Sequence, residues 1–245
     1  IGKKARFMRA HDQWYYLHVE KQLAKHSEGW QETVPIKDYL FRYDRGAFWV
    51  GRFAFEMFGV PYTRFMRWVL NPILHTRKLY QALQESGQSQ HHIVQDLVLP
   101  ADNFVKFCQY IDKELTTYPL WLCPMLVDTK ATFQLNNLAT SSIINVGVWG
   151  SEIPDYDDFI KTNRSIENEV LKLDGKKWSY AHSYFTEKEF WSMYDKKKYD
   201  ALRKKYASSG LPTIYDKLTV TKKVPVQKKK AVIRTILGLA KIKIH

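Results

Sequence analysis

The chain has 245 residues, of which 45% are hydrophobic and 15% aromatic, which is enough for one large core or for one domain with appended segments. No run of about 18 uncharged apolar residues occurs, so this sequence contains no membrane-spanning helix. The net charge is +13, but eight Lys or Arg and no acidic residue fall between Thr221 and the end, and the rest of the chain carries only +5. A basic tail of this kind binds acidic surfaces, either lipid or nucleic acid.

The N-terminal part, residues 1–90, is predicted to be a helical and apolar flank. Residues 1–33 have the pattern of an amphipathic helix that ends near Gly29, and residues 34–39 form an extended connector. The alternation of Tyr39, Phe41 and Tyr43 then predicts a strand.

Residues 50–74 are the most apolar segment, and arginines interrupt it. Pro61 and Pro72 break the segment into short helices. Its aromatics either pack under a partner domain or lie in a membrane interface, and the sequence favours neither. A further helix is predicted over 77–88, with Gly87 following its end.

Residues 91–185 contain the pattern around which we expect the rest of the chain to be arranged. Strands are predicted over 91–100, 118–127, 143–150 and 178–185, and helices from Asp102 to Leu115 and over 155–173. The order strand, helix, strand, strand, helix, strand is that of a split βαβ, ferredoxin-like sheet. The sequence therefore predicts an α+β fold, with an antiparallel sheet, helices on one of its faces and flanking helices.

C-terminal helices complete the predicted cap domain, residues 91–217. Thr186 and Glu189 form a capping box at the start of one helix, and residues 199–206 belong to a second. A polar loop is predicted over 130–142. Residues 218–245 are the basic tail. Because the first residue is Ile, we expect a fragment or a processed chain.

Sequence motifs with a fixed chemistry are absent. There is no G-x-G-x-x-G, Walker loop, H-E-x-x-H or zinc-type cysteine spacing, and we predict no metal site. Cys108 and Cys123 are expected to be reduced core thiols of an intracellular protein. His91 and His92 are adjacent, so in a strand their rings point to opposite faces and cannot share a metal ion.

Several polar residues lie within the aromatic strands. They are Tyr43, Asp44, Arg45, His92, Gln95, Asp96, Tyr180, His182 and Tyr184. Apolar walls with a few polar groups describe a site for a large apolar ligand, but they also describe a sheet that covers a partner domain.

Six ordered stretches give the chain a resemblance to a known family over roughly residues 1–218. They are YDRGAFW (43–49), HHIVQDLVLP (91–100), YPLWLCP (118–124), EFWSMYD (189–195), YDALRKKY (199–206) and PTIYDK (212–217). In these stretches the sequence resembles the C-terminal half of the delta(24)-sterol reductases, the Diminuto-like branch of the vanillyl-alcohol-oxidase type flavoproteins. The basic tail extends past the usual end of that family.

The resemblance implies a substrate, or cap, domain that closes over FAD, with FAD bound mainly by an N-terminal domain that this sequence lacks. The family transfers hydride from NADPH to FAD and from reduced flavin to a sterol side-chain double bond, while a proton is added to the other carbon. We therefore expect a sterol substrate, a membrane-surface partner and a location on the cytoplasmic face of the endoplasmic reticulum membrane. Alone, this chain should be inactive.

This chemistry requires a general acid near the substrate carbon. Tyr180 and Tyr184, four apart on the predicted fourth strand, share one face and are the first candidates, followed by Tyr43 and His92. Arg45 and Asp96 are candidates for orienting the acid or contacting the cofactor.

Two other functional readings remain open. One is a non-catalytic, basic membrane- or nucleic-acid-binding module, although nucleic acid is the less favoured partner. The other is a degenerate reductase that acts as a scaffold. A flavin-binding domain encoded upstream would favour the reductase over the non-catalytic module, and an activity assay would separate an active enzyme from a degenerate one.

Overall fold

A computed structural model describes residues 4–127, 140, 142–220 and 222–240. The chain forms two compact units. The first consists of the chain up to Gln88 together with the segment that begins at Pro225, and the second consists of Ser89–Val224. Each unit has a hydrophobic core of its own.

The helices are α1 (Tyr15–Leu23), α2 (Ile36–Leu40), α3 (Val50–Met57), α4 (Arg64–Leu70), α5 (Thr76–Glu85), α6 (Ala101–Glu114), α7 (Tyr156–Lys172), α8 (Glu187–Ser192), α9 (Lys196–Lys205), α10 (Ile214–Leu218) and α11 (Lys228–Ile236). The strands are β1 (His92–Pro100), β2 (Leu120–Leu126), β3 (Ser142–Glu152) and β4 (Lys176–Lys177). Short 3-10 helices span Asn71–Ile73 and Gln88–Gln90.

The first unit is helical and is packed around the indole of Trp14. Leu17, Phe55 and Leu74 complete its buried core. Gly46 lies against Trp14 with a φ of +78°, and a Cβ at this position would overlap the indole ring. Glycine is therefore required at this position for two reasons: the Trp14 indole leaves no room for a Cβ, and the backbone has a left-handed conformation.

The strand predicted over Tyr39–Tyr43 is wrong, because this stretch forms α2 and a turn. The guanidinium of Arg42 lies 4.0 Å from the ring centroid of Tyr39 and 4.1 Å from that of Tyr43. The aromatics that suggested alternation thus pack against a cation within the turn. The predicted connector at 34–39 also contains most of α2, and the N-terminal helix is shorter than predicted, since α1 begins only at Tyr15.

The short helices predicted in residues 50–74 are confirmed as α3 and α4. Thr63 caps α4 by accepting a hydrogen bond from the Met66 amide. The helix predicted over 77–88 is confirmed as α5, and Gly87 follows it with a φ of +75°, as expected for a helix-ending glycine.

The second unit is built on one four-stranded sheet with the order β2-β3-β1-β4, in which every neighbouring pair is antiparallel. The predicted α+β class is confirmed, and the order strand, helix, strand, strand, helix, strand is present along the chain. Helices α6 and α7 share a buried core with β1 and β3, in which Leu97, Phe107, Val146 and Ile166 are fully buried. Both of these helices therefore pack on the same face of the sheet.

The fourth strand predicted over 178–185 is wrong. Strand β4 contains only Lys176 and Lys177, which pair with Val98 and Leu97. The chain then turns away, and the amide of Ser183 donates to the carbonyl of Leu218 at 2.9 Å. The Trp178 amide still donates to the Asp96 carbonyl of β1 at 3.0 Å, but the residues after it do not continue the ladder, since the Ser183 amide is bonded outside the sheet.

The capping box at Thr186 and Glu189 is confirmed at the start of α8. Helix α9 begins three residues before the predicted 199–206 and ends at Lys205, one residue short of it. The loop predicted over 130–142 lies outside the described residues, apart from 140 and 142.

Candidate active-site face of the sheet

The two faces of the sheet differ in chemistry. Gln95 points toward α7, since its Nε2 donates to Asn163 Oδ1 at 2.5 Å. Asp96 follows Gln95 in β1, so its side chain points to the opposite face. We call this second face, which carries Asp96, Trp121, Asn145, Trp149 and Trp178, the indole face.

A hydrogen-bonded network of side chains on the indole face joins β1, β3 and Trp178, the residue that follows β4. Asn145 Nδ2 donates to Asp96 Oδ1 at 2.9 Å, and Trp149 Nε1 donates to Asp96 Oδ2 at 2.9 Å. Trp178 Nε1 donates to Asn145 Oδ1 at 2.6 Å. Asp96 and Asn145 are buried, and the three-way sharing of donors and acceptors fixes the orientation of both indoles.

Gly147 makes room for this network. It pairs with Asp96 on one side and with Trp121 on the other. A Cβ at this position would lie 2.9 Å from Cβ of Trp121 and 3.0 Å from Asp96 Oδ1. Trp121 and Trp149 stack across the glycine with ring centroids 6.4 Å apart and an interplanar angle of 11°. The glycine therefore allows a carboxyl group and two parallel indoles to occupy neighbouring positions.

The electrostatics of the face centre on Asp96. Burial raises the pKa of its carboxyl from 3.8 to about 6, and the hydrogen bonds from Asn145 and Trp149 oppose this rise. A carboxyl with a pKa in this range exchanges its proton close to neutral pH. Such a group in an aromatic environment is suited to general acid–base chemistry.

Two of the other predicted site residues in this unit are tyrosines, and the structure does not place them together on a strand. Tyr180 lies in the turn after β4 and is 54% exposed. Tyr184 packs against the core beneath α7, edge-on to Phe159 at 5.9 Å. Burial raises the pKa of the Tyr184 phenol, and its hydroxyl has no hydrogen-bond partner among the described residues. The shared face predicted for the pair is wrong, because it depended on the strand at 178–185.

His92 is buried at the start of β1, on the same strand as Asp96. The structure thus brings these two predicted site residues onto one element. A register shift between His92 and Val94 interrupts the pairing of β1 with β3 at this end of the strand.

Tyr43 and Arg45 lie in the first unit. Tyr43 stacks on Tyr16 at 5.5 Å and on Phe48 at 5.2 Å. Arg45 is buried and donates to the backbone carbonyls of Arg9 and Ala10. Burial lowers the pKa of its guanidinium. These contacts give Arg45 a structural part in holding the N-terminal segment, while its predicted role toward a cofactor stays a prediction.

Sequence reasoning named Asp96 but missed its partners Asn145, Trp149 and Trp178. The signal for the first two was present, since Asn145, Gly147 and Trp149 alternate along β3 and therefore share a face. Joining them to Asp96 required the register between β1 and β3, which the pattern of a single strand does not contain.

The described ranges also bear on metal, thiol and membrane-spanning sites. No group of three or more His, Cys, Asp or Glu side chains there is arranged to hold a metal ion. Cys108 and Cys123 are free thiols, each partly buried. None of the described helices combines the length and the apolar composition needed to cross a bilayer.

Comparison with known proteins confirms the resemblance read from the sequence motifs. The chain is 29% identical over 215 residues to the delta(24)-sterol reductase homolog of Caenorhabditis elegans, a match that covers 86% of this chain and 41% of the relative. It is 27% identical over 209 residues to the human delta(24)-sterol reductase, covering 84% and 40%, and 26% identical over 218 residues to that of Pisum sativum, covering 80% and 38%. The chain thus spans about 40% of the length of these curated relatives. No family model matches the sequence. No solved structure matches it either.

Proposed function

We propose that this chain is the substrate-binding, or cap, portion of an FAD-dependent, NADPH-linked reductase that reduces the side-chain double bond of a delta(24)-sterol. The observation that carries the proposal is the similarity to delta(24)-sterol reductases from an animal and a plant over at least 80% of the chain. The indole face supports it, because it combines aromatic walls with a buried carboxyl whose pKa lies near neutrality.

The residues present fit one part of FAD. The sequence has no glycine-rich turn to cradle a pyrophosphate, so we place that part of the cofactor on an N-terminal domain outside this chain. The stacked Trp121 and Trp149 on the indole face fit a planar ring system, which packs well against aromatic side chains. When bound, the flavin supplies the hydride.

The proton is the contribution we assign to this chain. The substrate double bond has no adjacent carbonyl, so a carbon that accepts hydride needs a proton delivered to its neighbour. On the indole face we place this proton on the Asp96 carboxyl, and Asn145 and Trp149 hold that carboxyl in a fixed orientation. Tyr180, exposed in its turn, stays the alternative donor.

The test is expression of the full-length protein, followed by flavin absorbance and by desmosterol reduction with NADPH. A protein that does not bind flavin and does not reduce desmosterol would refute the reductase assignment. In an active enzyme, Asp96→Asn should lower kcat by roughly 10²–10⁴-fold with sterol binding retained. Normal turnover in Asp96→Asn together with a loss in Tyr180→Phe would move the donor to Tyr180 and leave the reductase assignment intact.

We also propose that the protein works at the cytoplasmic face of the endoplasmic reticulum membrane, since a sterol substrate is dissolved in the bilayer. Fractionation of cells that express the full-length protein tests the location. Recovery only in the fraction free of membranes would contradict it.

A further inference from the structure

Helix α11 has an unusual distribution of side chains. Its buried residues are the small Ala231 and Thr235, four positions apart on one face. Ile233 and Ile236 are exposed instead, by 57% and 59%, as is Leu237 directly after the helix by 64%, while Val232 is half-buried. An ordinary surface helix buries its large apolar side chains and exposes its polar ones. In α11 the apolar face is turned outward.

This orientation is fixed by specific contacts within the first unit. The Gln227 amide donates to the Ser86 carbonyl at 2.9 Å just before α11 begins. Arg234 Nε lies 2.7 Å from Glu85 Oε1, at the end of α5. Rotating the helix to bury its aliphatic residues would break this ion pair and would expose Ala231 and Thr235. The outward apolar face is therefore a property of the packed unit.

The end of α11 extends the apolar face. The Leu239 amide donates to the Arg234 carbonyl at 2.7 Å, and the Arg234 guanidinium donates to the Leu239 carbonyl at 2.9 Å. This turn brings Leu239, which is 52% exposed, back beside the helix. Leu239 thereby joins Ile233, Ile236 and Leu237 as a fourth exposed aliphatic side chain at this end of the chain's described part.

The charge around this face indicates what covers it. Helix α11 opens with Lys228, Lys229 and Lys230 and contains no acidic residue. Protein interfaces are depleted in lysine and enriched in aromatics and arginine, whereas helices that lie in a membrane interface combine an apolar face with lysines at the headgroups. Aliphatic side chains with a lysine cluster fit the second pattern.

We propose that α11 and the turn at Leu239 form a docking surface that inserts into the interface of an anionic lipid bilayer. Ile233, Ile236, Leu237 and Leu239 enter the acyl boundary, and the lysine cluster binds the headgroups. The helix lies beyond residues 1–218, where the sequence resembles the reductases, so the docking surface belongs to the additional tail. The inference rests on the membrane association proposed above but is independent of sterol reduction, so vesicle binding and catalysis can fail separately.

Flotation of the full chain with vesicles tests the surface. One set of vesicles contains phosphatidylcholine alone, and the other contains phosphatidylcholine mixed with phosphatidylserine. We expect flotation with the mixed vesicles, weaker flotation with phosphatidylcholine alone, and a loss of binding as salt is raised. Absence of flotation with the mixed vesicles would refute the proposal.

Two variants separate the apolar from the charged contribution. Changing Ile233, Ile236 and Leu237 together to Ser should lower the partition coefficient by roughly tenfold or more. The matched control changes three leucines exposed elsewhere, Leu23, Leu126 and Leu211, to Ser and should bind like the parent.

Changing Lys228, Lys229 and Lys230 to Gln should lower binding to the mixed vesicles by roughly tenfold or more. Lys196, Lys197 and Lys198 form a second lysine triplet, at the start of α9, and provide the matched control. Equal losses in the two lysine variants would show that binding follows net charge and would overturn the proposal.

Thermal unfolding of each variant checks that the fold is retained, which we expect because every changed side chain except the half-buried Lys228 is exposed. The other occupants of the surface are outcomes of the same experiment. Binding to duplex RNA or DNA that needs the lysines but is indifferent to the aliphatic residues would make the tail a nucleic-acid segment. Self-association that the aliphatic variant abolishes, without vesicle binding, would make the surface a contact between two copies of the chain.

Discussion

The Asp96 carboxyl should make the stability of the protein depend on pH in a way that Asp96→Asn removes. In the folded protein the pKa is raised from 3.8 to about 6 by burial. The folded state therefore binds this proton more tightly than the unfolded state does. The stabilising contribution is fully present below about pH 3.8, and it is lost as the pH rises through 6.

The size of the effect follows from the shift. One unit of pKa corresponds to about 1.36 kcal/mol, so the full contribution is about 3 kcal/mol, of which about 2–3 kcal/mol is lost between about pH 4 and pH 8. Asp96→Asn also leaves one donor, on Asn145 or Trp149, without its acceptor, at a cost of about 1–3 kcal/mol that does not depend on pH. The variant should be less stable than the parent in acid, and this deficit should shrink or reverse as the pH rises.

Urea unfolding followed by tryptophan fluorescence measures this difference, because the affected indoles lie beside the carboxyl. Asp157→Asn, at an exposed position in the first turn of α7, controls for the loss of one negative charge. A difference in unfolding free energy between parent and Asp96→Asn that stays constant from acid to neutral pH would refute the reasoning about the buried carboxyl.

Three further changes test other parts of the second unit. Lys177 Nζ lies 2.8 Å from Glu167 Oε1, and both side chains are buried. Glu167→Gln should therefore lower the unfolding free energy, measured by urea unfolding, by about 3–5 kcal/mol. Replacing both residues by Met and Leu should recover much of this loss. Thr186→Ala removes the capping box of α8 and should cost about 1 kcal/mol; an unchanged urea midpoint would contradict the cap. Tyr184→Phe removes a buried hydroxyl without a hydrogen-bond partner among the described residues and should leave thermal stability equal or higher, so a clear drop in Tm would reveal a partner for that hydroxyl.

The central strands could be predicted from the sequence because β1 is buried almost throughout and β3 is buried in its middle. Strand β1 reads as an apolar run, interrupted by Gln95 and Asp96, that ends in Pro100, and the segment predicted as β3 is bounded by a polar loop and by Gly150. The predicted ends lie within about two residues of the observed ones. Local pattern was sufficient here, because most positions of these two strands are buried or half-buried and burial on both faces selects apolar residues.

Strand β4 could not be predicted, because its stability comes from a contact distant in the sequence. A pair of lysines is a poor signal for a buried strand. Lys177 is nevertheless buried, since Glu167 of α7 neutralises it and the His182 carbonyl accepts a hydrogen bond from it. The aromatic run after β4 gave the stronger local pattern, and this placed the strand two residues too late and made it six residues too long.

The candidate site shows the same limit. Asp96 could be named from one strand, but its importance depends on Asn145, which is 49 residues away, and on Trp149, which is 53 residues away. The pKa of the carboxyl is set by this tertiary environment. The tyrosine candidates were chosen for the intrinsic acidity of the phenol, a property of the residue type that is independent of its position in the fold.

The division of the first unit into two stretches of chain has a consequence for biosynthesis. Residues up to Gln88 leave the ribosome first, but α5 obtains its contacts with α11 only after the intervening 89–224 have been made, roughly 7–30 s later. Among the described residues the second unit is one continuous stretch, so it can complete its sheet in that interval. During synthesis the end of α5 around Glu85 therefore lacks its contact with Arg234 of α11. A nascent chain stalled before Pro225 should be cut by protease at α5 more readily than the finished chain.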